Sequence, residues 1–326
     1  MGQNRGNGDS EEMMAGDRLF AIGGAHIDRR GRVEGPYVPQ ASNPGTMREE
    51  VGGGAFNAAR MAMQRGLSVT LMSLRGGDAA GQQVAEAIEE SGIEDCSAVF
   101  LDRATPSYTA ILTEDGDLVA GLADMGLYEI GFAKQLRRRK IRDALDEAGA
   151  VLCDANLPVE ALRLVAERAA EKPIFAIGIS PAKVERLAPI LGQLSCLFMN
   201  RREACRLAGL PADAFTPQAA EALAARGLKA SLISGGGEPL LVMEGGNLYQ
   251  IAPPAPDRLA DVTGAGDALA GAAIAALMRG MPLADAAREG VAAAKLALES
   301  ETAAPRIDET SFRAALALVP QPRPAG

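Results

Sequence analysis

Residues 261–267 read DVTGAGD and run directly into the apolar segment at 268–278. Within that stretch Gly264, Ala265 and Gly266 carry almost no side chain, so the backbone can turn tightly and direct successive N–H groups at one point. The first turn of a helix also leaves N–H groups unpaired, and the positive end of the helix dipole favours an anion there. The stretch therefore predicts a phosphate site at the start of a buried helix.

Asp267 lies where this loop becomes helix, so its carboxylate is expected close to the bound phosphate. A carboxylate and a phosphate repel each other at this distance unless a protonated group, such as a substrate hydroxyl, lies between them. In a phosphoryl transfer the loop would stabilise the spreading negative charge, while Asp267 orients the hydroxyl and accepts its proton late. The short string leaves a second interpretation open, a glycine-containing turn with an aspartate near a helix N-cap.

Composition narrows the class of protein. The chain has 326 residues, 48% of them hydrophobic, which suits one large α/β domain or two smaller ones. A net charge of −9 disfavours a general affinity for nucleic acid or for anionic membranes. The longest apolar runs are too short and too rich in Gly and Ala to span a bilayer. We expect neither nucleic acid nor membrane as a partner, and an anionic cosubstrate would need a local site.

Cysteine usage and the chain ends favour a cytoplasmic protein. The four cysteines lack CxxC spacing and there is a single histidine, so neither a zinc site nor a disulfide framework is expected. Residues 1–17 are polar and acidic, unlike a signal peptide, and are predicted to form a disordered leader. The Pro-rich residues 319–326 are predicted to fray.

The order of apolar and polar segments predicts an α/β fold. Residues 18–24 read as a buried strand ending in glycine, and from residue 136 onwards predicted strands alternate with predicted helices, one of them at 181–191. Two segments break the alternation, the Pro/Gly-rich residues 31–51 and a predicted β-hairpin within 105–125. Together they could build a small accessory sheet, a lid that keeps water from a phosphoryl donor.

Two candidate substrate contacts follow the first strand. If residues 25–28 are extended, His26 and Asp28 share one face at the strand's carboxyl end, where open α/β sheets place ligand contacts. The alternative interpretations are that His26 has a purely structural role and that Asp28 only starts the basic turn after it. Further on, a glycine turn at 52–54 opens a helix, so that Gly53 permits close approach of another molecule and Asn57 can both donate and accept towards it. Flexibility alone would also explain these glycines.

Two more junctions carry candidate nucleotide contacts. Asn200 and Glu203 are three residues apart where a strand becomes a helix, so an amide and a carboxylate could hold hydrated Mg²⁺ near phosphates. A simple N-cap with Glu at the third helical position explains the pair equally well. Ser234 and Gly236 belong to a glycine run after another buried strand, which is a plausible contact for nucleotide phosphates.

Taken in order, these pieces resemble the ribokinase-like, or PfkB, carbohydrate and nucleoside kinases. The resemblance covers about residues 18–318 and rests on GGAHID from Gly23, GGGAFN from Gly52, NRRE from Asn200, SGGG from Ser234 and DVTGAGD from Asp261. It implies a kinase domain at 18–318 with a three-layer α/β/α fold, a mostly parallel central sheet and a small β-sheet lid. It also implies ATP and Mg²⁺ as cofactors, a small-molecule sugar or nucleoside substrate, and a homodimer joined through the lid.

The resemblance assigns a role to each motif residue. It implies that Asp267 is the catalytic base and that Gly264, Ala265 and Gly266 form the anion hole. The remaining assignments are the substrate contacts His26, Asp28, Gly53 and Asn57, the phosphate and magnesium pair Asn200 and Glu203, the nucleotide contacts Ser234, Gly236 and Thr263, and a monovalent-cation site, K⁺, at Asp261 with Thr263.

A narrower likeness concerns the substrate. GGAHIDRRGR with SNPGT, the hairpin SYTAILTEDGDLVAGLADM, DANLP at Asp154 and SPAKVERL at Ser180 are similar to pseudouridine kinases, which phosphorylate the 5′-hydroxyl of a C-nucleoside. A sister kinase acting on another ribonucleoside, ribose or a ketose is the alternative, and a catalytically silent ligand-binding protein is a third.

Several positions depart from the family pattern. His26 stands where related kinases often have Asn, which exchanges an amide contact for an imidazole whose charge can change near neutral pH. Ser234 and Pro239 replace the Thr and the final Gly of a TxGxxG pattern, which bears on the ATP contacts. The segment at 299–302 lacks the usual Gly near the nucleotide, which bears on activation by K⁺.

Overall fold

A computed structural model describes residues 15–260, 262–302 and 305–325. Most of the predicted leader at 1–17 lies outside the described residues, and Ala15–Asp17 form one 3-10 turn ahead of the first strand. Across the described residues, no helix combines the length and the apolar character needed to cross a membrane.

The strands form one large sheet and two small ones. In chain order they are β1 Arg18–Ile22, β2 His26–Val33, β3 Gly45–Gly52, β4 Ser68–Met72, β5 Leu74–Gly76, β6 Glu94–Asp95, β7 Ala98–Phe100, β8 Ser107–Leu112, β9 Leu118–Asp124, β10 Ala150–Asp154, β11 Ile174–Ile177, β12 Cys196–Asn200, β13 Ala230–Gly235, β14 Glu238–Glu244, β15 Asn247–Ile251 and β16 Arg323–Pro324.

Helices connect most of these strands. They are α1 Gly54–Gln64, α2 Ala79–Glu90, α3 Gly126–Gln135, α4 Arg139–Glu147, α5 Val159–Arg168, α6 Arg201–Ala208, α7 Thr216–Ala225, α8 Ala265–Met278, α9 Leu283–Leu298 and α10 Glu309–Leu318, with a 3-10 helix at Val184–Gln193 between α5 and α6.

The large sheet has ten strands in the order β16-β15-β14-β13-β12-β11-β10-β1-β4-β6. Neighbouring strands from β6 to β13 are parallel, whereas β13 to β16 pair antiparallel. Parallel pairing brings the carboxyl ends of β1, β10, β11, β12 and β13 to one edge of the sheet. That edge is where an open α/β sheet binds its ligands.

Helices cover both faces of this sheet and bury it in two cores. In β1, Leu19 and Ala21 pack into the core made with α1, α2, α8, α9 and α10. Phe20 and Ile22 pack into the core made with α3 to α7. Because residues 19–22 of β1 are buried on both faces of the sheet, that stretch is continuously apolar instead of alternating. The predicted three-layer α/β/α fold is confirmed, with a mostly parallel central sheet and a smaller sheet beside it.

The smaller sheet is built from the segments that were predicted to form a lid, and it is called the lid below. Its strand order is β3-β2-β8-β9, so the Pro/Gly-rich segment and the hairpin join in one accessory sheet. β2 pairs antiparallel with β3 and parallel with β8, and β8 pairs antiparallel with β9. The lid therefore continues directly from β1 through β2, which carries His26 and Asp28 out of the main sheet.

Two expectations about local structure differ from what is observed. The helix predicted at 181–191 is a 3-10 helix at Val184–Gln193 with Pro189 inside it. Proline removes one N–H donor and its ring disfavours the regular α-helix, so a tighter and less regular turn replaces it. The tail predicted to fray at 319–326 instead adds Arg323–Pro324 to the sheet edge beside Tyr249–Gln250. The unpaired edge of β15 offers the backbone groups that hold it.

Candidate active site

A cavity of about 520 Å³ lies between the carboxyl ends of the parallel strands and the lid. Tyr108 and Ala123 line it from the lid, while Asn200 and Ser234 line it from the ends of β12 and β13. The motif residues that meet there are His26, Asp28, Gly53, Asn57, Asn200, Glu203, Ser234, Thr263, Gly264, Gly266 and Asp267. Segments far apart in the chain thus converge on one pocket.

Two of the described candidate residues do not line the cavity, and a third candidate is not described. Ala265 is the first residue of α8, directly between the two lining glycines of the anion loop. Gly236 has a positive φ of 70° and occupies the exposed turn between β13 and β14, outside the cavity lining. Asp261, the candidate cation ligand, lies outside the described residues.

Asp267 is held in place from the opposite end of the chain. Asn57, in the first turn of α1, donates from Nδ2 to Asp267 Oδ2 at 3.0 Å across 210 residues of sequence. Asn57 is buried, so its amide has few alternatives and keeps the carboxylate at the cavity wall. The contact joins the glycine turn before α1 to the anion loop before α8. The sequence predicted the order of these two motifs but not a contact between them.

The environment of Asp267 favours its protonated form. Burial raises the pKa of Asp267 to about 7, and the negative charges of Asp154, Asp28 and Glu203 act in the same direction, whereas the Asn57 hydrogen bond opposes them. A carboxyl group with this pKa exchanges its proton readily at neutral pH, which is the property a general base requires.

The start of α8 is open towards the cavity. Gly264 takes the left-handed conformation with φ of 80°, and no side chain caps the helix. Among the hydrogen bonds of the described residues, none is donated by the backbone N–H of Gly266 or Asp267. A Cβ added at Gly266 would meet no atom within 4 Å, so the space above the loop is clear. Such a helix start can receive an anion.

His26 and Asp28 face each other as the alternation predicted. His26 Nε2 lies 3.3 Å from Asp28 Oδ1, and both residues line the cavity. On the other side of the ring, His26 Nδ1 lies 3.3 Å from the hydroxyl of the fully buried Tyr128. The hydroxyl oxygen also accepts a hydrogen bond from the backbone N–H of Ala25 at 3.1 Å. The imidazole is therefore clamped between a carboxylate and a phenol.

The glycines before α1 serve the protein's own packing. A Cβ at Gly53, where φ is 114°, would run into the carbonyl oxygen of Gly24. A Cβ at Gly54 would run into Ile179. Both positions therefore require glycine for packing, and not only for flexibility. Both residues also line the cavity.

The Asn200 and Glu203 pair forms a capping box at the start of α6. Asn200 Oδ1 accepts from the Glu203 backbone N–H at 3.0 Å, and Glu203 Oε2 accepts from the Asn200 backbone N–H at 2.9 Å. The structural interpretation of the motif is thus present. Burial also raises the pKa of Glu203 to about 7, and the carboxylate lines the cavity. One carboxylate at the cavity wall suits Mg²⁺, which takes most of its ligands from phosphates and water.

Sequence reasoning assigned no role to Asp154, which holds the site together. This fully buried carboxylate accepts hydrogen bonds from the backbone N–H groups of Gly24 at 2.9 Å and Ala55 at 3.1 Å. It also accepts from the backbone N–H of Asn156 at 2.9 Å and from its Nδ2 at 3.0 Å. Asp154 therefore joins the end of β1 to the start of α1. The available signal was a polar pair directly after a buried strand.

The chain belongs to the pfkB family of carbohydrate kinases, because the family model with the description pfkB family carbohydrate kinase matches residues 17–310. A solved structure described as a carbohydrate kinase from Agrobacterium tumefaciens is similar, with 42% sequence identity and a TM-score of 0.82 over 94% of this chain and 99% of that one. A pseudouridine kinase of Escherichia coli is 27% identical over 288 residues, which are 87% of this chain and 91% of that protein.

A third comparison concerns the fold. The structure of Arabidopsis thaliana ribokinase complexed with ribose and ATP is similar with a TM-score of 0.80 at 22% identity, covering 92% of this chain and 98% of that chain. The resemblance stated from the motifs is confirmed. The chain is accordingly a sugar or nucleoside kinase, a phosphotransferase that takes a small-molecule substrate and ATP.

Proposed function

We propose that this kinase transfers the γ-phosphoryl group of ATP to the 5′-hydroxyl of a nucleoside, with pseudouridine as its substrate. The observation that carries the reaction is Asp267, held by Asn57 at 3.0 Å beside the open amino end of α8. A base and an anion site within one helical turn can act on both partners of a phosphoryl transfer at once.

Asp267 acts as the general base. With a pKa of about 7, a large share of the carboxyl groups is ionised at neutral pH and can accept the hydroxyl proton. Asn57 fixes the carboxylate oxygen that it donates to and leaves the other oxygen, Oδ1, for the substrate. Asp28 and His26, which line the same cavity, hold the sugar hydroxyls.

The amides at the start of α8 receive the transferring group. The N–H groups of Gly266 and Asp267 and the helix dipole stabilise negative charge that spreads over the phosphoryl oxygens. Glu203 with Asn200 would hold Mg²⁺, which supplies further neutralisation of the phosphate charge when bound with ATP. Ser234 and Thr263 line the same wall and would contact the nucleotide. Activation by K⁺ through Asp261 stays a prediction from the sequence.

The lid completes the site and supplies a surface for a second copy. Tyr108 and Ala123 face the cavity and would exclude water from the phosphoryl donor. On the same sheet Met47, Leu118 and Leu122 are exposed, apolar side chains that a homodimer joined through the lid would cover. We extend the proposal to that homodimer and to a cytoplasmic location.

The choice of a nucleoside over a free sugar is supported by the likeness to the pseudouridine kinase of Escherichia coli over most of both chains. A sister activity on ribose or another sugar is the second candidate, because the more similar structure from Agrobacterium tumefaciens is described only as a carbohydrate kinase. Both candidates share the base and the anion site and differ in what fills the rest of the cavity.

A substrate panel separates these candidates. ATP turnover is measured with pseudouridine, uridine, adenosine and ribose, and with no acceptor. Pseudouridine should give the highest kcat/KM. A clear preference for ribose would transfer the assignment to the sugar kinases, and no turnover above the acceptor-free rate with any compound would favour a silent ligand-binding protein.

A further inference from the structure

Lys183 introduces a positive charge into an acidic cavity. Of the residues that line the cavity in the described part of the chain, Asp28, Glu203 and Asp267 are carboxylates, and Lys183 is the one lysine or arginine. It is half-buried and follows the turn after β11, on the wall that also carries Ile179 and Ser180. The mechanism above makes no use of this charge.

Two hydrogen bonds fix Lys183 on that wall. Its Nζ donates to Asn156 Oδ1 at 2.6 Å. The amide of Asn156 cannot turn over, because its Nδ2 donates to Asp154 Oδ2 at 3.0 Å. Asn156 itself is 2% exposed, and Arg186 Nη1 donates to its carbonyl oxygen at 3.2 Å. The ammonium group is thus positioned through Asn156 by the same buried carboxylate that organises the site.

The ammonium group has donors to spare. Lysine carries three N–H donors, and among the described residues Asn156 Oδ1 is the single hydrogen-bond acceptor recorded for Lys183 Nζ. Burial lowers the pKa of Lys183, against the attraction of Asp154, so keeping the charge there is costly unless something else stabilises it. Two N–H donors on a partly desolvated cation make a binding point for an acceptor atom.

The backbone that presents Lys183 is strained. Ile179 has a φ of 68°, which a β-branched residue rarely adopts, and Ser180 N–H donates back to the carbonyl of Gly178 at 2.8 Å. The carbonyl oxygen of Ser180 then accepts from Lys183 N–H at 3.0 Å. A strained backbone of this kind persists only when surrounding contacts fix it, and such residues cluster at active and ligand-binding sites.

Lys183 and Asp267 line the same cavity but are held by different neighbours. The charged groups that act on Lys183 are Asp154, Arg186 and Glu129. Those that act on Asp267 are Asp154, Asp28 and Glu203. Lys183 Nζ is bonded to Asn156, after β10, whereas Asp267 is bonded to Asn57 in α1, so the ammonium group is available to a part of the substrate other than the reacting hydroxyl. A negatively charged substrate group there would be repelled by the three carboxylates of the cavity, whereas a neutral hydrogen-bond acceptor would not.

We infer that Lys183, positioned by Asn156, determines substrate specificity by donating a hydrogen bond to a carbonyl oxygen of a pyrimidine-type base. This inference rests on the proposed nucleoside kinase activity and adds to it the group that distinguishes a nucleoside from a free sugar. Loss of a hydrogen bond from a charged donor should weaken binding by roughly ten- to a hundredfold.

The test compares Lys183→Met with the parent chain on four acceptors: pseudouridine, uridine, a ribose C-linked to a phenyl ring, and ribose. Methionine keeps much of the aliphatic stem and removes the donors. The KM for the two carbonyl-bearing nucleosides should rise by roughly ten- to a hundredfold, with kcat and the KM for ATP changed by less than about twofold. The phenyl riboside and ribose should be unaffected. Lys134→Met, on the exposed surface of α3, makes the same chemical change away from the cavity.

The outcomes separate this inference from the proposed function. If the parent phosphorylates nucleosides and Lys183→Met loses equally on all four acceptors, or on none, the specificity role is overturned and the kinase proposal stands. If the parent phosphorylates ribose alone and calorimetric titration detects no uridine binding, both are overturned. Should Lys183→Met fail to fold by circular dichroism, Lys183→Gln replaces it, and the same split between carbonyl-bearing and carbonyl-free acceptors is required.

Discussion

Two carboxylates at the edge of the same sheet, one fully buried and one half-buried, have opposite environments. Asp154, at the end of β10, is fully buried and accepts hydrogen bonds from Gly24, Ala55 and Asn156, all from N–H groups of the protein. Asp267, at the start of α8, accepts one side-chain hydrogen bond, from Asn57. The N–H donors around Asp154 hold that carboxylate in place, whereas the single side-chain donor at Asp267 does not offset the burial that raises the pKa of Asp267. The first builds the site, and the second is left able to exchange a proton.

The strongest test of this contrast is Asp267→Asn. The amide keeps the shape of the carboxylate and cannot accept a proton, so kcat should fall by on the order of a hundredfold or more. The variant should also be at least as stable as the parent at pH 8. The pKa of this carboxyl group is about 7 in the folded chain and about 4 in the unfolded chain. The folded parent therefore loses stability as the pH rises through that range.

Steady-state turnover and thermal melting at pH 8 measure both effects. Asp146→Asn, an exposed position on α4, is the matched control and should change neither. Near-parental kcat in Asp267→Asn would remove the general-base assignment.

The same substitution at Asp154 should act on folding. An amide there offers one acceptor oxygen to four N–H donors and turns two of its own hydrogens towards them, so the free energy of unfolding should fall by about 2–4 kcal/mol. Equilibrium denaturation by urea measures this loss, again against Asp146→Asn. If Asp154→Asn unfolds like the parent, the carboxylate does not organise the site and the contrast fails.

The pH dependence of the free enzyme sharpens the contrast. Because the base must be deprotonated and burial raises the pKa of Asp267 to about 7, kcat/KM should fall about tenfold for each pH unit below 7 and level off above it. Rates are measured with pseudouridine between pH 5 and 9, after confirming that the chain stays folded over that range. A profile flat from pH 5 to 8 would show that Asp267 is ionised throughout, like an ordinary surface aspartate.

The smallest expected effect comes from the one hydrogen bond that Asp267 accepts from a side chain. Asn57 lowers the pKa of Asp267, so Asn57→Ala should move the midpoint of the pH profile to higher pH and also lower kcat through looser positioning. The displaced midpoint distinguishes an electrostatic role from a merely structural one. A midpoint unchanged from the parent would mean that Asn57 positions the carboxylate without tuning it.

Most of the motif residues could be found from the sequence because each lies beside a local signal. Gly264 and Asp267 follow a loop that must start a helix, and Asn57 follows a glycine turn that starts another. Their order along the chain was enough to predict a shared site, since parallel strands bring their carboxyl ends to one edge. Their individual roles in the reaction remain predictions.

Other features could not be predicted because they depend on contacts between distant segments. Nothing local to Asp154 indicates that its partners are Gly24 and Ala55, about a hundred residues and more away. Lys183 resembles any surface lysine in sequence, and only its place beside Asn156 and a strained turn makes it noteworthy. The pairing of residues 323–324 with β15 likewise depends on an edge strand that the tail meets in space.

Local chemistry along the chain was sufficient for the fold class, the accessory sheet, the glycine loop before α8 and most of the motif residues that line the cavity, because strand burial, glycine turns and helix starts leave short-range patterns. Folding in three dimensions was needed to decide which carboxylate is surrounded by N–H donors and which accepts a single side-chain hydrogen bond. That difference arises from how many N–H groups from remote segments reach each oxygen, and from how much water is displaced in bringing them there.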